Sequence, residues 1–250
     1  TMIGGRALDG TVSTLRITNN GRSPKRVTVT SYVEWVLGVS LDLTQQHVYT
    51  SYDSETASVF GQNFFDQEFA ELVAFLAMSG DITSYTADRR EFIGRNGTPA
   101  RPAALSKAAL GESVGEVVDP CGALQTSMTI HPGETAEVVV LLGAVTSMDD
   151  ARILIRRYKS AETAVAEVDR AAQSWQRRLS TIRVKTPDQS FDRIENGWLL
   201  YQALSCRMWG RTALYQSSGA YGFRDQLQDS MAFLYADAPV ASEHILRSAA

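Results

Sequence analysis

Thr135-Ala136-Glu137-Val138-Val139-Val140-Leu141-Leu142-Gly143-Ala144-Val145-Thr146-Ser147-Met148-Asp149-Asp150-Ala151-Arg152 changes its hydrophobic period midway. Val138 to Leu142 is an apolar run of strand length. At Ser147 the period passes from two to 3.6. There a Ser with Asp150 three residues later makes an N-terminal capping pair that opens a short helix through Tyr158. The chain before Ser147 reads as β, and the chain after it reads as α.

Working backwards, Leu124, Thr126, Met128 and Ile130 alternate toward His131-Pro132-Gly133-Glu134, a turn, so this strand and Val138 to Leu142 are expected to pair as a hairpin. Leu15 and Ile17 alternate ahead of the turn signal Asn19-Asn20-Gly21-Arg22. Val27, Val29, Ser31, Val33, Trp35 and Leu37 then lie on one face of a long strand, with Arg26, Thr28, Thr30, Tyr32 and Glu34 on the other. Shorter strands are expected over Val48 to Tyr52, Ala57 to Phe60 and Phe69 to Met78. The last is nearly all apolar, as in a strand buried on both faces or in a short helix. About ten antiparallel strands in two packed sheets are expected. Residues 80–120 carry a cation-rich segment, Arg89-Arg90-Glu91-Phe92-Ile93-Gly94-Arg95-Asn96-Gly97, and two prolines, and read as a long surface excursion.

Working forwards, Ser160 caps a helix on which Val165, Val168, Ala172, Trp175 and Leu179 keep a three-four spacing, with Glu167, Arg170, Arg177 and Arg178 on a solvated face. Thr186-Pro187-Asp188-Gln189 is a strong helix start, with Thr186 as cap and Gln189 closing the box. The helix it opens becomes apolar nearly all round and is expected to be interior, its Trp and Tyr residues more core than ligand platform. Cys206 is expected there as a small buried side chain. Another helix runs through Phe233 to Tyr235, and Asp237-Ala238-Pro239 starts one more, in which His244 is structural.

The 250 residues are 44% hydrophobic and 21% charged, ample for a sizeable core. A net charge of −4 argues against a nucleic-acid partner. Cys121 and Cys206, far apart, are expected as free thiols in a reducing compartment, a single bridge being the alternative. His47, His131 and His244 lack ligand spacing, so no metal site is expected. No run approaches the roughly 18 apolar residues of a membrane span, and no signal peptide opens the chain. Both ends read as cut from a longer polypeptide, Thr1 in mid-domain and Ala250 inside a helix.

The densest chemistry lies in Ser217-Ser218-Gly219-Ala220-Tyr221-Gly222-Phe223-Arg224-Asp225-Gln226-Leu227-Gln228-Asp229. Small residues permit close backbone approach, aromatics can stack on a sugar ring, and an Arg with carboxylates and amides can fix several hydroxyls. An ordinary helix start with a local Arg224–Asp225 ion pair fits the composition equally well.

Tyr221 to Asp229 resembles the G-[YF]-R-D-x-x-Q-D signature of the family 94 glycoside phosphorylases. Asn196-Gly197-Trp198-Leu199-Leu200-Tyr201-Gln202, Cys206-Arg207-Met208-Trp209, Tyr215 to Ala220, Ser31 to Gly38 and Asp119 to Thr126 resemble in particular the phosphorylase-like domain of cyclic β-1,2-glucan synthases. The resemblance implies a multidomain β + α chain: an antiparallel β-sandwich over 1–146, N-terminally incomplete, a helical linker over 147–185, and the start of an (α/α)6 barrel over 186–250. It implies inverting phosphorolysis of non-reducing ends of a β-glucan, with inorganic phosphate as co-substrate and no cofactor. Phosphate is already an anionic nucleophile, so such an enzyme needs one acid, a phosphate pocket and a clamp on the terminal sugar. By resemblance, Arg224 and Asp229 grip the terminal glucose, and Tyr221 belongs to the same substrate-binding group. Asp225 and Gln228 either support them or cap the helix. The family's arginine-bearing Arg-Glu-x-Phe-x-Gly segment implies that 89–97 extends toward the barrel.

The family's general acid sits in an Asp-Trp-Asn-Asp-type motif that these residues lack; it and the phosphate site are expected downstream of residue 250, so the chain alone is expected to be inactive. The expected partners are a β-glucan or gluco-oligosaccharide, the rest of the parent polypeptide and, as family members pair, a second copy. The implied location is cytoplasmic, either free or as the cytoplasmic part of an inner-membrane protein. Two alternatives to a chain-length-controlling domain of a cyclic glucan synthase remain: a free-standing oligoglucan or disaccharide phosphorylase, and a non-catalytic β-glucan-binding module.

Overall fold

The computed structural model describes residues 2–5, 8–38, 40–65, 70–209 and 223–249. The chain divides into two compact units, 1–171 and 172–250. Within the first, seven strands form a sheet in the order β1-β2-β10-β6-β5-β4-β8: β1 (Met2–Gly5), β2 (Leu8–Thr18), β4 (Val48–Asp53), β5 (Ser58–Asn63), β6 (Val73–Met78), β8 (Gly115–Glu116) and β10 (Thr135–Val145). Three form another, in the order β3-β9-β7: β3 (Lys25–Glu34), β9 (Pro120–Ile130) and β7 (Ile82–Asp88). The pairings between strands are antiparallel, as the alternating patterns imply.

Strand β6 shows why a continuous apolar run is needed. Its Ala74, Leu76 and Met78 join Val59, Val138, Ala87, Leu124 and Trp35 in a core fed by both sheets. Val73, Phe75 and Ala77 turn the other way and pack with Ala151, Ile155 and Tyr158 of α3 (Met148–Tyr158). All six residues of the strand are therefore buried. Helix α3 starts where expected, with the Ser147 hydroxyl accepting from the Asp150 amide. Trp35 is the wedge between the sheets. An added Cβ on Gly61 of β5 would lie 3.4 Å from its ring, and one on Gly122 of β9 only 2.8 Å. Both glycines are small so that the indole fits.

Several expectations are corrected. His131–Glu134 is not a hairpin loop, because β9 and β10 belong to different sheets. The chain crosses between sheets there, beside the crossing from β2 to β3. Asn19 joins the two crossings. It exchanges backbone bonds with Glu134 and Gly133. Its side chain donates to the carbonyls of Ser23 (2.9 Å) and Ile130 (2.8 Å) and accepts from the Gly21 amide. Strand β3 ends at Glu34 and not at Leu37, where φ is +34° and the backbone can no longer continue a ladder.

Residues 80–120 are not simply a surface excursion. They supply β7, the short helix α2 (Arg89–Ile93) and a 3-10 turn at Ala103–Ser106. Phe92, Ile93, Ala104 and Leu110 cover Cys121 and Ala123 on the outer face of the smaller sheet. A further short helix, α1 (Leu41–Thr44), precedes β4.

Helix α4 (Ala161–Leu179) runs across the division between the units, its start capped by Ser160 as expected. Glu167, expected on a solvated face, is buried, because Arg170 folds over it with Nε 2.7 Å from its Oε2. Among the described residues no helix is long and apolar enough to cross a membrane.

Candidate functional site

The second unit begins its long helix at Asp188, two residues later than the expected Thr186 cap. The Asp188 carboxylate accepts from the amides of Ser190 and Phe191. Thr186 is occupied otherwise: its amide and hydroxyl both donate to Asp192, at 2.9 Å each. From there α5 (Gln189–Arg193) leads into a π segment (Ile194–Trp198), α6 (Leu199–Gln202) and a second π segment (Ala203–Trp209). Asn196, in the first π segment, clamps the amide and carbonyl of Val184.

The helix is less interior than its composition suggests. Leu204 and Met208 are buried with Phe233 and Ala241, while Trp198, Tyr201 and Trp209 are exposed among the described residues. The aromatics gather at the edge of this cluster, against which Trp175 packs. Trp175 packs against Tyr201 and, edge-on, against Trp209, and the Arg178 guanidinium lies over the Trp209 ring. Cys206, expected to be buried, is exposed, because it sits on the face opposite Leu204 and Met208. Cys121 is buried and not bridged to it, and burial pushes its thiol pKa up.

Helix α7 (Phe223–Ser230) carries the signature residues, and α8 (Ala238–Ala249) packs after it. Tyr221 lies outside the described residues, as does the side chain of Asp225, whose backbone is in α7. Arg224 and Gln228 are exposed, and Asp229 is half-buried. Five residues on a helix turn through about 140° beyond a full turn, so α7 does not set Arg224 beside Asp229. The side chain that stands beside Asp229 is Arg207 of the second π segment, its Nε 2.5 Å from Oδ2. Nothing in the signature itself points to Arg207. The available signals are its place in the Cys206-Arg207-Met208-Trp209 segment that carries the resemblance and an arginine beside two core positions, Leu204 and Met208.

Ser230, next to Asp229, is buried and donates to the Leu227 carbonyl, and Phe233 is buried just beyond, so the end of α7 is anchored. His244 of α8 is buried in the same unit. Among the described residues no three His, Cys, Asp or Glu side chains stand together as a metal would need.

The arginine-rich segment of the first unit is partly committed. Arg89 bonds Glu34 through Nε (2.6 Å) and Asp119 through its Nη1 nitrogen (3.1 Å). The Arg89 hydrogen bond holds the Glu34 carboxyl below its usual range. Burial and the Glu34 neighbour push the Tyr32 phenol up. Glu91 accepts from Thr86, the Gly111 amide and Ser113, tying the 103–113 loop down. Arg90 and Arg95 are exposed.

Comparison with known proteins gives a consistent result over both units. The family model for the Glycosyl hydrolase 94 supersandwich domain matches residues 6–161, and that for the Glycosyl hydrolase 94 superfamily catalytic domain matches residues 174–250. The chain is 37% identical over 246 residues to a cyclic beta-(1,2)-glucan synthase of Rhizobium meliloti (strain 1021), covering 98% of this chain and 9% of that protein. It is 27% identical to an N,N'-diacetylchitobiose phosphorylase of Vibrio furnissii, covering 89% of this chain and 28% of that one. The chain thus spans less than a third of the length of both. A solved structure of a putative kojibiose phosphorylase from the human microbiome superposes with a TM-score of 0.54 at 9% identity, covering 92% of this chain and 30% of the other, a likeness of fold. With a family match over well more than half of its length, in both the sandwich and the helical unit, the chain belongs to glycoside hydrolase family 94.

Proposed function

We propose that this chain supplies the sandwich and the donor-sugar clamp of an inverting glycoside phosphorylase that acts on non-reducing ends of a β-1,2-linked glucan. Phosphate attacks the anomeric carbon from the face opposite the glycosidic oxygen. The bond to that oxygen breaks as an acid protonates it, and glucose 1-phosphate leaves. Arg224 would donate to, and Asp229 accept from, hydroxyls of the terminal glucose, with Gln228, Asp225 and Tyr221 as further contacts or supports. Phosphate is co-substrate, and no cofactor is needed.

The observation that carries this reading is the Tyr-Gly-Phe-Arg-Asp-x-x-Gln-Asp signature standing intact inside the catalytic-domain match. The match to a cyclic glucan synthase supports the β-1,2 linkage, and within such a synthase the chain would control glucan length. That role implies a cytoplasmic location on the inner membrane, attachment to the rest of that polypeptide and pairing with a second copy. The matches to disaccharide phosphorylases favour a second reading, a free-standing enzyme for short oligosaccharides. With no Asp-Trp-Asn-Asp-type motif in its sequence, the 250-residue chain by itself is expected to release no glucose 1-phosphate.

The test uses the full-length polypeptide with inorganic phosphate and β-1,2-gluco-oligosaccharides, then cellobiose and other disaccharides, assaying glucose 1-phosphate. Product with wild type and a loss of at least about a hundredfold in R224A and D229A, as expected for donors and acceptors that act in the transition state, supports it. Activity on disaccharides alone favours the second reading. No product from any substrate refutes both and leaves a carbohydrate-binding module.

A further inference from the structure

We infer that Arg207 is the positioning residue for Asp229: it holds the carboxylate in place for the donor sugar without touching the sugar itself. The inference rests on the phosphorylase reading and names a residue that the sequence signature does not contain.

The geometry is specific. Asp229 is the penultimate residue of α7. An Asp satisfies a helix at its N-terminus, where it meets free amides and the positive end of the dipole. Near the C-terminal end, where the chain runs on into a 3-10 turn at Met231–Phe233, an Asp meets the negative end of the dipole and no free amides, so Asp229 does not cap α7. Among the described residues its charge is paired with the Arg207 guanidinium, 2.5 Å from Oδ2.

Arg207 reaches it from a π segment, a widened turn of the kind that recurs at functional sites. The pair sits at the rim of the Leu204, Met208, Phe233 and Ala241 cluster, with side-chain exposures of 29% and 33%. One Nε–H occupies one of about four lone-pair directions on the carboxylate, which leaves room for sugar hydroxyls on the others. Because both groups are about a third exposed, the pair adds little to stability. Its removal should therefore cost function and not folding.

The test is a double-mutant cycle in the full-length protein, measuring kcat and KM for phosphorolysis of β-1,2-gluco-oligosaccharides together with the thermal unfolding midpoint. R207M is expected to lose about ten- to a hundredfold in kcat/KM with its midpoint within about 2–4 °C of wild type, the size of shift a weak pair gives. R207K, which keeps the charge but not the planar donor, should recover part of the loss. R207M/D229N should be no worse than D229N alone, since a group that acts only through Asp229 has nothing left to position.

Losses that multiply in the double variant would overturn the inference. So would R207M and R207K both retaining wild-type kinetics while D229N is impaired. Should R207M fail to fold, the cycle is run with R207K, and the same two outcomes decide. An unimpaired D229N, or no phosphorolysis by wild type, would instead bring down the underlying reading, and this inference with it.

Discussion

Asn19→Ala tests whether one side chain joins the two inter-sheet crossings. It removes three hydrogen bonds: the donations to Ser23 and Ile130 and the acceptance from Gly21. Gly21 and Ser23 are exposed, so water replaces their lost partner at little cost. The Ile130 carbonyl is different, since its bond to Asn19 is buried. An orphaned buried acceptor costs about 1–3 kcal/mol, and the two part-buried bonds lost with it add about 0.5–1 kcal/mol each. The first unit should lose about 2–5 kcal/mol.

Asn19→Asp refines the test. It keeps the shape but turns an oxygen toward two carbonyls where Asn19 turns an amide. At neutral pH it should be at least as damaging as the alanine, and its deficit should shrink in acid as the introduced carboxyl gains a proton to donate. Urea unfolding gives the magnitude, and hydrogen exchange across 8–34 and 120–145 gives the location. An N19A protein within about 0.5 kcal/mol of wild type, with those amides equally protected, would refute the reasoning.

Gly122→Ala drives a methyl group into the Trp35 ring, where a Cβ would sit 2.8 Å from Cζ2 and 3.1 Å from Val33 Cγ1. Overpacking of this kind should cost about 1–3 kcal/mol and shift the near-ultraviolet signal of Trp35, measurable by circular dichroism; an unchanged spectrum and midpoint would contradict the wedge. Asp53 accepts from Arg152 and from the amide and hydroxyl of Thr56, docking α3 on the turn between β4 and β5. Burial raises its pKa, but these bonds outweigh it, and the net direction is down. A carboxyl lowered in the folded state stabilises fully above its unfolded value of about 4 and loses that contribution as pH falls further. D53N should therefore lie about 1–3 kcal/mol below wild type at pH 7, with the gap in urea-unfolding free energy closing below about pH 4.

The strands were legible wherever one face meets a core and the other meets something different. Val29 and Val33 pack into the inter-sheet core while Tyr32 turns to the outer cluster, and period-two alternation records that division directly. One of the missed strands, β7, buries Ser84 and Thr86, whose hydroxyls are used by Leu110, Gln125 and Glu91. A strand buried through polar side chains carries no apolar alternation, so its sequence looks like loop. The supposed hairpin failed for a different reason. His131-Pro132-Gly133-Glu134 specifies a turn, but the next strand pairs with β2 and β6 of the other sheet and the turn is bonded to Asn19, more than a hundred residues away, and no local pattern contains that.

The candidate site divides along the same line between local and distant causes. Residue types in the signature are contiguous and so readable; their geometry is not, because a helix separates Arg224 from Asp229 and an element 22 residues back supplies the partner. Two choices here are unfavourable on their own terms. An arginine at the rim of the buried stripe of Leu204 and Met208 gives up part of its hydration, and an aspartate near the C-terminal end of α7 opposes the helix dipole. Each removes the other's cost, since the guanidinium compensates the carboxylate at the rim of the core. Natural sequences are locally consistent except where function requires otherwise. Two such local costs that offset each other are what the proposed positioning role of Arg207 on Asp229 predicts.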